Sequence, residues 1–174
     1  MVEDMEWERT LAPSQRVMIR ASSLNYHLIE NKNRIDSFSF HENINAMDQL
    51  CSEILQILNA DSTNVLQVIE NSISITDETD RYELSVDKYE SSIAINIIGY
   101  SLSLLHVIAP SDSEKDQIIR FADKYFPLII AGDYMMRKLS GLYNDIATSF
   151  NRTLLFLKSY ALQIFARITA TMSL

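Results

Sequence analysis

The sequence predicts an α/β (α+β) domain: an antiparallel sheet flanked by helices, continuing into a long C-terminal helix. Three observations carry this. Apolar residues recur at steps of three and four before residue 60 and again after residue 112, the period of a helix with one buried face. Between them the period drops to two, at Val65, Gln67 and Ile69, at Ile73 and Ile75, at Tyr82, Leu84 and Val86, and at Ile93, Ile95 and Ile97. Gly99 then separates that last run from Tyr100, Leu102 and Leu104, with serines between them. The alternative is an all-α bundle, because Ile93, Ile97, Leu104 and Ile108 also fit one helical face.

The elements follow in order. Residues 1–11 form a polar, acidic segment in which Trp7 is an anchor onto the core or a partner. A first helix is expected over about 12–31, with Pro13 in its first turn and Val17, Ala21, Leu24 and Leu28 on its inner face, widened by Ile29. Ser39 and Glu42 have the spacing of a capping box and introduce a second helix over about 40–59, carrying Ile44, Met47, Cys51, Ile54 and Leu58. The polar run Asp77–Arg81 reads as the turn of a β-hairpin. Pro110 breaks the chain, and Asp112 or Ser113 caps a further helix with Ile118, Ile119, Ala122, Tyr125 and Phe126 inside and a kink at Pro127.

From Gly132, with Asp133 as N-cap, the stripe Met135, Leu139, Leu142, Ile146, Phe150, Leu154 and Leu157 continues to about Met172. Such a helix would be on the order of 60 Å long, longer than a compact domain of this size is wide. The domain reading is therefore an N-terminal segment 1–11, a globular part 12–131 and a long amphipathic helix 132–174.

Composition narrows the function. The chain has 174 residues, 47% of them hydrophobic, and a net charge of −8. Residues 1–90 hold 17 acidic and 7 basic residues, whereas residues 91–174 hold 6 and 8. That balance opposes nucleic acid as a partner, since its binders present a basic patch. The single cysteine, Cys51, forms no internal disulfide and falls on an apolar stripe, which reads as a buried inert thiol. The acidic N-terminus lacks a signal-peptide core, and Lys158 and Arg167 interrupt the C-terminal apolar stretch, so a cytoplasmic chain without a membrane span is expected.

Three stretches resemble a GAF domain, the small α/β sensory fold related to PAS domains. MDQLCSEILQILNADSTNVLQVI looks like the family's first helix and strand, IAINIIGYSLSLLHVI like its paired central strands, and SDSEKDQIIRFADKYFPLIIAGDYMMRKL like its closing helix, together about residues 40–140. The resemblance implies a sensory or regulatory module. The family's ligand-pocket segment is here only about Asp77 to Ser92 and strongly acidic, which implies a shortened member without a bound cofactor.

No catalytic motif is visible. The glycines Gly99, Gly132 and Gly141 form no phosphate loop, the three histidines have no ligand spacing, and Arg20 with His27 is a chance pairing. The expected function is a non-catalytic regulatory module that forms a homodimer and passes a signal to an unidentified protein partner. Its interface would be Val17, Leu24, Leu28, Met135, Leu139, Leu142, Ile146, Phe150, Leu154 and Leu157. The alternatives are a small-molecule sensor with a reduced pocket, and an all-helical partner-binding protein of the immunity-protein or chaperone type.

Overall fold

The computed structural model describes residues 10–72, 74–76, 81–83 and 85–139. Among them five helices dominate: α1 (Pro13–Glu30), α2 (Ser37–Ile57), α3 (Val65–Ser72), α4 (Val86–Ile108) and α5 (Asp112–Leu139). Strand pairing is confined to β1 (Ser74–Thr76) and β2 (Arg81–Glu83), antiparallel with Ile75 opposite Tyr82. The architecture is an all-α bundle. The expected α/β class and the GAF resemblance are both overturned, since the paired central strands that carried them are a single helix.

Four helices build the bundle. α1 and α4 run parallel: Ser14 Oγ donates to Glu90 Oε1 at 3.1 Å and Asn25 Nδ2 to Ser101 Oγ at 3.0 Å, each pair 76 residues apart. α2 and α5 also run parallel, through Ser37 Oγ to Glu114 Oε1 at 2.7 Å and Lys124 Nζ to Asp48 Oδ1 at 3.0 Å. Each hairpin, α1–α2 and α4–α5, is antiparallel, and the two lie side by side in one register. α3 packs against α5.

α4 is the centre, in contact with α1, α2 and α5. Ile93, Ala94, Ile95, Ile97, Ile98, Leu102 and Leu105 are all buried, and so are Ser91, Ser92, Ser101 and Ser103. A helix enclosed on nearly every side has no polar face. The serines that suggested alternation are small core residues. Ser92, Ser101 and Ser103 return their hydroxyl hydrogens to the carbonyls of Tyr89, Ile97 and Gly99, at 2.6, 3.1 and 3.0 Å, which satisfies them without breaking the helix. Among the described residues α4 is the one helix long and apolar enough to cross a membrane, and most of it is buried within the bundle.

The other departures are local. Val65 and Ile69 belong to α3, not to a strand. Their four-residue separation is one helical turn as well as two strand repeats, and both are buried. α2 is capped by Asp36 rather than Ser39: Ser39 N donates to Asp36 Oδ1 at 2.9 Å and Asp36 N to Ser39 Oγ at 3.0 Å. Past its end, Asn59 takes φ 53°, left-handed backbone that asparagine tolerates.

Gly132 is not a helix start and Asp133 is not an N-cap. Both lie inside α5, which passes through Pro127 without ending. Asp133 instead pairs with Arg137 one turn on, at 3.1 Å. Gly132 brings α5 close to α4: a Cβ there would stand 2.8 Å from Ile95 Cβ, and Asn96 Nδ2 donates to the Gly132 carbonyl at 3.3 Å. The expected continuation of the helix past residue 139 lies outside the described residues.

Candidate interaction site

The parallel register brings four helix ends together: the last turns of α1 and α4 and the first turns of α2 and α5. Asn25–Ser101 and Ser37–Glu114 tie them to one another. The loop between α1 and α2 is held by its own backbone and side chains. Asn31 Nδ2 donates to the His27 carbonyl at 2.8 Å, Arg34 N to the Asn31 carbonyl at 2.8 Å, and Asp36 caps α2. The Ser39 backbone N–H, then its hydroxyl, hold the Asp36 carboxyl below its ordinary value. Ser111 caps the start of α5 by engaging Glu114.

At this end the bundle exposes large apolar side chains. Phe38 is 72% exposed, Tyr26 60%, Val107 53% and Ile29 47%. Tyr26 and Ile29 are three residues apart and share one face of α1. Val86, at the opposite end of α4, is the other large apolar side chain of comparable exposure among the described residues. Burying such a side chain is worth about 1.5–3 kcal/mol, so four of them at one end of the bundle offer apolar area to a docking surface.

The chain's three histidines, His27, His41 and His106, also lie at this end. Tyr26 meets His27 edge to face, with ring centroids 5.9 Å apart, and Phe40 meets His41 at 5.6 Å. Burial, then the nearby Lys115 charge, lowers the His106 pKa from its ordinary value. No group of His, Cys, Asp and Glu among the described residues has metal-site geometry.

The expected interface residues are placed differently. Val17, Leu28 and Met135 are buried in the core of the single chain, and Leu24 is partly buried against it. A seam through those residues would require opening the bundle. Leu139 ends α5, while Leu142, Ile146, Phe150, Leu154 and Leu157 lie outside the described residues. Ile29, expected to widen the inner face of α1, is instead 47% exposed, one residue beyond the buried Leu28. The signal for Tyr26 and Phe38 was their position off the apolar stripes of their helices.

Two polar features lie along the side of the bundle. Between α2 and α5, Asp48 Oδ1 accepts from Tyr125 Oη at 2.6 Å and from Lys124 Nζ, whose ammonium lies 5.0 Å from the Tyr125 ring centroid. Burial alone would raise the Asp48 carboxyl, but these hydrogen bonds and the lysine charge outweigh it and leave the pKa lowered. Beneath it, burial and then the Asp48 charge push the Cys51 thiol far above its ordinary range, so the buried sulfur is an inert core atom. Between α1 and α2 a groove of about 410 Å³ is lined by Pro13, Arg16, Val17, Glu53, Gln56 and Ile57. Arg20, paired with Glu53 at 3.6 Å, adjoins it.

Comparison of the chain with protein-family models, with curated proteins and with solved structures finds no match.

Proposed function

We propose that this chain is a non-catalytic, all-helical partner-binding protein, the class that includes small immunity proteins and chaperones. Its docking surface is the end of the bundle that carries Tyr26, Ile29, Phe38 and Val107. The observation behind this reading is the gathering of those exposed side chains on a capped, hydrogen-bonded scaffold. Large aromatic and aliphatic groups held on a rigid frame lose little entropy on docking and gain the full desolvation of their apolar area.

The partner is a polypeptide that offers an apolar surface to this end, and a second copy of the chain is one candidate. The expected homodimer through the terminal helices is the less supported arrangement, because Val17, Leu28 and Met135 already serve the core of one chain.

The test is site-specific photocross-linking in cells that naturally make the protein, with the reactive side chain at position 38 or, as a control, at position 86. The expected result is one discrete adduct from position 38, lost when Ile29 is changed to Asp, and none from position 86. An adduct of two copies identifies the partner as the chain itself. Equal labelling from both positions, or none from position 38, contradicts the reading.

A further inference from the structure

We infer that the groove between α1 and α2 is the seat of the chain's own N-terminal segment, with Trp7 as the anchoring side chain and an acid beside it facing Arg16. The groove is the observation. It combines an apolar wall, from Pro13, the buried Val17 and the partly buried Ile57, with a cation. The Arg16 Nε is closed off from water and has no hydrogen-bond partner. Arg16 itself lines the groove and is only half-buried, so the rest of its guanidinium can meet an acceptor seated there. The carboxylate already there, Glu53, is engaged by Arg20. The groove therefore fits an apolar body with an acceptor or anionic group next to it.

The chain supplies such an occupant at the groove's own edge. Residues 1–9 read MVEDMEWER, with four acids, one base and the only tryptophan of the protein. Pro13 opens α1 and also lines the groove. Trp7 precedes it by six positions, a reach of roughly 20 Å when extended, so the segment can double back along α1. Glu6 and Glu8 are the sequence neighbours of Trp7. Tethering makes docking intramolecular, at an effective concentration on the order of millimolar. The first turn of α1 contains no acid of its own, so an acid arriving from the segment also meets an unopposed helix dipole.

This inference is independent of the docking end, which lies at the other extreme of the bundle. Because Trp7 is the sole tryptophan, the emission spectrum of the intact chain reads its environment alone. The expected native spectrum is blue-shifted from that in urea and resists acrylamide quenching, equally at low and high protein concentration. Ile57→Asp and Arg16→Gln, each checked for retained helix by far-UV circular dichroism, should both move emission toward the unfolded value. Where Ile57→Asp unfolds the chain, Arg16→Gln decides. A native spectrum that coincides with the urea spectrum overturns the inference. So does a blue shift that neither folded variant changes, which puts Trp7 elsewhere. A blue shift that appears only as concentration rises overturns it too, because the occupant is then a second copy.

Discussion

The body of α4 and the corner where α1 turns into α2 treat apolar residues in opposite ways. Along α4 even the serines are buried, and most of its surface meets another helix. At the corner the backbone is equally well satisfied by caps, yet Tyr26, Ile29 and Phe38 stand in water. The corner is therefore not a poorly formed part of the core. Its exposed side chains lie outside the hydrophobic core cluster. If the proposed docking role holds, stability and recognition are separable in this chain, and substitutions in the two regions should behave differently.

The largest effect is expected in the body. Leu102→Ala removes a fully buried side chain at the centre of the bundle, and urea denaturation should show a loss of about 2–5 kcal/mol. Two glycines within described helices, Gly132 and Gly99, sharpen the contrast. Gly132→Ala puts a methyl group into Ile95, which should cost about 1–3 kcal/mol through forced separation of α4 and α5. Gly99→Ala meets no atom within 4 Å and should stabilise by about 0.4–1 kcal/mol, by restricting the unfolded chain. Finding the same sign for both would break the packing account of the α4–α5 seam.

The smallest effect concerns pH. The folded Asp48 carboxyl lies below its ordinary value of 3.8. Its contribution is therefore fully present above that value and is lost as pH falls below it through the folded pKa. Asp48→Asn should flatten the acid limb of a plot of urea midpoint against pH while leaving the neutral limb parallel to the wild type. An acid limb of unchanged slope would remove Asp48 from the α2–α5 contact.

What the sequence revealed follows from the physics of each segment. α1 and α2 were legible because each has one wet face, so the stripes Val17–Ala21–Leu28 and Met47–Cys51–Ile54 stand out against polar neighbours. α4 was not, because a helix buried all round loses that contrast. Its serines at 101 and 103 then imitated the outward positions of a strand. α3 misled for a simpler reason, since Val65 and Ile69 fit both periods. Gly132 looked like punctuation, but its role is contact with Ile95, a residue of another helix that no local window includes. The corner left a trace, in Tyr26 and Phe38 lying off the stripes, whereas the groove left none. Its walls come from the start of α1 and the end of α2, and only folding brings Arg16 to Gln56.

The central claim is that the corner's apolar side chains serve a partner rather than the fold. The most direct measurement is the urea stability of the double variant Ile29→Ser, Phe38→Ser, read beside its cross-linking from position 107. Stability within about 0.5 kcal/mol of wild type, with the adduct abolished, is the predicted result. A stability loss of about 2 kcal/mol or more, or an adduct that survives undiminished, would contradict it.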